Sequence, residues 1–136
     1  MSVFENIQKA FDVPLMALGV AEGIPVYLDN VSETSTNGFI AGYLLDSDLA
    51  PAEMGVSESI TGLYQIDVCY LSKVGSESIN VMIDKVRAVF YSGSNFDWGD
   101  DCFDIRSVSV SKIMQYNGFA KKSITLSISG FTKQLG

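Results

Sequence analysis

Residues 62–72 read GLYQIDVCYLS. On an extended chain Tyr64, Ile66, Val68 and Tyr70 share one side, and Leu63, Gln65, Asp67, Cys69 and Leu71 share the other. Period-two alternation rich in β-branched and aromatic residues is the signature of a strand. Just beyond it, Gly75-Ser76-Glu77-Ser78 opens a helical pattern that runs to Tyr91. Ser76 can cap that helix, and Glu77 complements the dipole in its first turn. Ile79, Met82, Ile83, Val86, Val89 and Phe90 recur at three- and four-residue spacing and form one apolar stripe. Gly93 stands where a C-terminal cap glycine belongs. A central strand feeding a long amphipathic helix is therefore the expected heart of the fold.

Upstream, Ser2 can cap a first helix whose stripe is Val3, Phe4, Ile7, Ala10 and Phe11. Pro14 either kinks that helix or starts a second short one through Ala21. Gly23 stops it and Pro25 prevents resumption. Val26–Leu28 reads as a short strand and Asn30–Gly38, NVSETSTNG, as an exposed loop. Phe39–Leu45 alternates with apolar residues on both sides, so this strand is expected to be covered twice. Asp46–Ile60, DSDLAPAEMGVSESI, breaks the pattern with Pro51, Gly55 and the acids Asp46, Asp48, Glu53 and Glu58. The expectation is a long loop at 46–60. A connection of that length is unusual in a compact domain, so it is a functional arm, a mobile loop or an irregular extension of a strand.

Downstream, Ser94–Asp104 reads as an acidic loop carrying Trp98, Asp97, Asp100, Asp101 and Asp104. Ile105–Ile113 alternates as a strand with a weak apolar face. Tyr116-Asn117-Gly118-Phe119 carries the Asn-Gly hairpin signal. Phe119–Phe131 is the last strand, and Thr132–Gly136 a frayed end. With no internal repeat or linker, residues 1–136 read as a single domain. The order α-β-β-β-α-β-β implies an α+β fold: a mixed, mostly antiparallel sheet with two main helices packed on one face.

The bulk chemistry excludes more than it assigns. With 136 residues, 47% of them hydrophobic, the chain can bury a real core without a disulfide or metal staple. A formal net charge of −7 argues against stable binding to nucleic acid or to anionic membranes. Two cysteines are too few for a secreted disulfide framework, and both are expected as reduced thiols. Val13–Ala21, interrupted by Pro14 and Gly19, falls far short of the roughly 20 residues a membrane span needs. The N-terminus lacks the basic segment of a signal peptide.

No histidine is present, which removes histidine-dependent triads and the commonest zinc ligand. The sequence has neither a phosphate-binding loop nor a dinucleotide fingerprint. Asp97, Asp100, Asp101 and Asp104 could in principle hold a hard cation. Counted as a calcium loop from Asp97, however, the glycine position holds Cys102 and the glutamate position holds Val108. An exposed acidic loop without a metal is the better reading, and no cofactor is expected. Ser107, Ser109 and Ser111, with Ser123, Thr125, Ser127 and Ser129, form small polar rows. They suit either an ordinary wet face or one that packs on another subunit through hydrogen bonds.

The order of elements, the strand motif G-x-Y-Q-I-D-V-x-Y (Gly62, Tyr64, Gln65, Ile66, Asp67, Val68, Tyr70) and the helix motif G-x-x-x-I-x-x-x-I-D-x-V (Gly75, Ile79, Ile83, Asp84, Val86) together resemble a known family. It is that of the tail terminator, or tail completion, proteins of long-tailed phages, the lambda-type minor tail proteins. The resemblance spans roughly Ser2 to Phe131 and departs at the acidic Asp97–Asp104 stretch. It implies a structural virion protein and no enzyme. Such proteins are expected to assemble in the host cytoplasm as a hexameric ring on the tail tube, stop its polymerisation and present a surface for the head. The implied partners are further copies of the chain, the tail tube protein and a head completion or connector protein. On this reading 46–60 is the docking arm, with Leu49 and Met54 as apolar anchors and Asp46, Asp48, Glu53 and Glu58 as rim charges. The acids Asp97, Asp100, Asp101 and Asp104 would face the lumen. The rival readings are a tail tube or head–tail connector subunit, or a small ligand-binding module or enzyme.

Overall fold

The computed structural model describes residues 3–28, 38–51, 57–71, 76–99, 101–116 and 118–133. Ser2, residues 30–37, Glu53, Met54 and Asp100, which the sequence reading assigned to a cap, a loop, the arm and the acidic stretch, lie outside them. Helix α1 (Val3–Glu22) is followed by strands β1 (Val26–Leu28), β2 (Gly38–Pro51) and β3 (Ser57–Leu71). Helix α2 (Ser76–Val89) leads to β4 (Asn95–Trp98), β5 (Asp101–Val110), β6 (Met114–Tyr116) and β7 (Phe119–Lys133). The spatial order is β1-β2-β3-β7-β5-β4, with β6 pairing β7 beside β5. Among the described residues only β1 and β2 pair in parallel; every other pair is antiparallel. The fold is therefore α+β, a mixed and mostly antiparallel sheet with both helices on one face, as expected.

Alternation in β3 does what its residue types dictate. Ile60, Tyr64, Ile66 and Val68 are fully buried and face the helices. Across the ladders, Ile66 pairs Ile124, Tyr64 pairs Leu126, and Val108 of β5 pairs Leu126 in turn. Ile7, Phe11 and Leu15 of α1 and Ile79, Ile83 and Val86 of α2 close the core from above. Phe11 is its hub, with ring centroids at 4.9 Å from Phe96, 5.6 Å from Tyr64, 6.3 Å from Phe90 and 6.4 Å from Phe103. Because α1 touches β2 near one edge and β4 and β5 near the other, the sheet is curled around it. Pro14 lies inside this one helix. Phe11 and Leu15, both fully buried, seat the turns on either side of it on the core, which is where a helix draws most of its stability.

Two expectations are corrected. Of the readings offered for 46–60, the irregular strand extension holds and the long loop does not: the stretch is in large part a hairpin extension. β2 runs on to Pro51 and β3 begins at Ser57, with Asp46 opposite Leu63, Asp48 opposite Thr61 and Pro51 opposite Glu58. A bulge between Leu44 and Asp46 shifts the register there, which hid the alternation. The acidic loop 94–104 is likewise a hairpin, β4 and β5, turning at Gly99 with φ 63°. Phe96 and Trp98 pack against the main core and Phe103 is fully buried within it; the acids between them masked that period. β5 accordingly starts at Asp101, before the expected Ile105, and ends at Val110. Close packing fixes Gly130: a Cβ there would stand 2.1 Å from the Cys102 carbonyl oxygen across the β5–β7 ladder.

Candidate functional site

The sheet face turned away from the helices is the most differentiated surface of the molecule. At one end it carries an aromatic cluster in which Phe39 stacks edge-on with Tyr27 and Phe119, both at 5.6 Å, over Ala41 and Cys69. This explains why β2 is apolar on both sides: its second face is covered by aromatic residues of the chain itself. Both cysteines are thiols, Cys69 buried here and Cys102 exposed.

In the middle of that face lies Asp67, only 6% exposed. The ladders set Tyr43 beside Gln65 and Asp67 beside Ser123, so four polar side chains from three strands converge. Tyr43 Oη donates to Asp67 Oδ2 at 2.6 Å, Gln65 Nε2 to Oδ1 at 2.7 Å, and Ser123 Oγ to Oδ1 at 2.6 Å. Gln65 Nε2 also donates to Tyr43 Oη at 2.7 Å, and Lys121 Nζ stands 3.9 Å from Oδ2. A carboxylate saturated by donors in this way ties β2, β3 and β7 together and stiffens the face. Beyond it run the small polar side chains Thr61, Thr125, Ser127, Ser129, Ser107 and Ser109, interrupted by the 38%-exposed Leu63.

The residues singled out by sequence fall in two places. Asp46, Asp48 and Leu49 lie in the β2 half of the hairpin extension and Glu58 in its β3 half. The acidic stretch divides. Asp97 and Asp104 are exposed, whereas Asp101 is buried and accepts a hydrogen bond from Asn6 Nδ2 at 2.7 Å. That contact anchors α1 to the β4–β5 hairpin, so Asp101 is not part of an outward acidic surface. Among the described residues, no three of the acids and cysteines come together as a metal site. No described helix is long and apolar enough to cross a membrane.

Sequence reasoning missed two features. The Asp67 network was signalled only by Gln65 and Asp67 standing in an apolar strand. The other is an apolar outer side of α1, where Val13, Met16 and Val20 are 46%, 48% and 83% exposed. Next to it, Met16, Gly19, Val20, Gly23, Ile24, Pro25 and Val26 line an open groove of about 360 Å³. The signal was a helix apolar on more than one side, which a single stripe does not explain.

A family model described as phage tail terminator protein matches residues 6–129. No curated protein matches the chain. One solved structure aligns with a TM-score of 0.69 and 15% identity over 98% of this chain and 94% of its own. A second, from the virion of a native gene transfer agent particle, aligns with a TM-score of 0.63 and 14% identity over 98% of both chains. These two likenesses are of fold.

Proposed function

Since the chain belongs to the phage tail terminator protein family, and so is a structural protein of the phage tail, we propose that copies of it form a ring on the end of the tail tube. The ring stops tube polymerisation and offers the surface to which the head is joined. The observation that carries this reading is that the family match takes in nearly the whole fold, from α1 into β7. The geometry supports it. Asp67 stiffens a sheet face whose side chains are small and hydroxyl-bearing, suited to a contact that hydrogen bonds to a neighbour. The hairpin extension, with Asp46, Asp48, Leu49 and Glu58 in its strands and Glu53 and Met54 between them, is the docking arm toward the tube or a neighbouring subunit. Asp97 and Asp104 add negative charge at the rim of the same face, which would repel passing DNA.

The test is tail length by electron microscopy in the parent particle with this gene inactivated. Abnormally long, headless tails are the expected outcome. Absent tails would replace the reading with a tube or initiation role, and normal particles would refute it.

A further inference from the structure

Among the described residues the sheet has two incompletely covered edges of opposite charge. β1 pairs β2 only across Ile40, Ala41 and Gly42. Among the described residues no strand pairs the outer side of β2 from Leu44 to Pro51. At the other edge β4 pairs β5 across Asp101–Asp104. The chain leading into β4 caps Ile105, through Gly93 N–H to its carbonyl at 2.8 Å and its own N–H to Ser94 O at 3.0 Å. Ser92 Oγ donates to the Arg106 carbonyl at 2.9 Å. From Ser107 to Val110 the outer side of β5 again has no described strand beside it. Bare edges are templates for strand pairing unless something blocks them.

We propose that copies of this chain join edge to edge, the uncovered edge of β2 in one copy pairing with the uncovered edge of β5 in the next. The inference rests on the ring reading above and supplies its interface. Strand direction permits it. The antiparallel steps from β2 through β3 and β7 to β5 leave β2 and β5 running in opposite senses. A rotation that carries one sheet onto its neighbour therefore brings the two edges together antiparallel, with the same sheet face on the same side. The two surfaces differ, so the contact is heterologous and propagates around a ring.

Charge selects the match. The β2 edge carries Asp46 and Asp48, in register opposite Leu63 and Thr61 of the face that holds the Asp67 network. The β5 edge segment, RSVSVSK, is bounded by Arg106 and Lys112 and contains no acid. Arg106 Nη1 reaches Ser129 Oγ at 3.3 Å on that same face. In a chain of 16 acidic and 9 basic residues, this is a place where another copy's acids are not repelled. Such complementarity fixes partner and register. The backbone contributes as well. Ser111 N–H donates inward to Ser123 O at 2.9 Å, so strand alternation turns the amide of Val110 outward, where it can donate to the incoming β2.

The experiment is native mass spectrometry and sedimentation of the full chain and four variants, with circular dichroism confirming the fold of each. Wild type is expected to form closed multimers. Asp46→Lys with Asp48→Lys, and separately Arg106→Glu with Lys112→Glu, are each expected to weaken assembly at least tenfold. A one-to-one mixture of these two charge variants is expected to restore it, because alternating copies then present opposite charges at every joint. Val110→Pro, which removes the outward donor and spares the β7 ladder, is expected to weaken assembly, whereas Val110→Thr is not. Multimers of wild type and of all variants alike would overturn the edge contact and leave the ring reading standing. Failure of the mixture to recover would overturn it too. A wild type that stays monomeric both alone and on purified tail tubes would overturn the ring reading, and the edge contact with it.

Discussion

Replacing Asp67 by alanine tests whether the polar network holds the open face together. The carboxylate accepts from Tyr43, Gln65 and Ser123 at 2.6–2.7 Å. Each hydrogen bond to a charged group is worth about 1.5–3 kcal/mol. Two effects offset their sum. Removing the carboxylate also removes the cost of burying it, which is several kcal/mol for an ion, and the three donors lie on a partly exposed face where water can reach them. Lys121 adds little, at 3.9 Å with a side chain 30% exposed. The expected net loss is about 2–4 kcal/mol for Asp67→Ala. Asp67→Asn, which keeps one acceptor oxygen, should lose about half as much. Urea unfolding followed by Trp98 fluorescence measures both, since this lone tryptophan packs against the main core. A double-mutant cycle sharpens the test: Tyr43→Phe should cost about 1 kcal/mol in wild type and almost nothing beside Asp67→Ala. The reasoning is refuted if Asp67→Ala stays within about 0.5 kcal/mol of wild type, or if Tyr43→Phe costs the same in both backgrounds.

Phe11→Ala should be the costliest truncation in the helix layer, about 3–5 kcal/mol by the same assay, because four aromatic neighbours lose their common contact. Gly130→Ala should destabilise by more than about 2 kcal/mol, since the new methyl meets the Cys102 carbonyl of the backbone; near-wild-type melting would contradict that packing. The Tyr70 hydroxyl is raised above its ordinary 10.0 by burial, opposed by Lys85 and reinforced by Glu22. A raised folded value gives stability that is complete below pH 10 and is lost as pH climbs through the folded value. Tyr70→Phe should therefore lessen the fall in melting temperature between pH 9 and pH 11, and an unchanged fall would count against the burial effect.

The parts of this fold that sequence disclosed are those in which one segment carries its own periodicity. The middle of β3 alternates apolar and polar residues, α2 repeats every three to four, and Gly118 marks a turn, at φ 81°. The hairpin extension and the β4–β5 hairpin stayed hidden because neighbours make them strands. Their acids interrupt the pattern, while backbone ladders to β3 and β7 hold them extended. The Asp67 network was illegible for a different reason. Tyr43 and Ser123 lie 24 and 56 residues from Asp67 along the chain, and only the register of two ladders brings them to one carboxylate. For Asp46, Asp48, Leu49 and Glu58, sequence supplied the charges and the apolar residue but not the strands that carry them.

The position of β7 has a consequence for biosynthesis. It is the last strand in sequence yet lies between β3 and β5 in the sheet. Until Phe119–Lys133 has left the ribosome, β1-β2-β3 and β4-β5 are two separate pieces whose facing edges are open. The nascent chain therefore passes through a stage with two strand-accepting surfaces inside one molecule, closed by the same stroke that completes the core. Ladders of such long sequence separation form slowly.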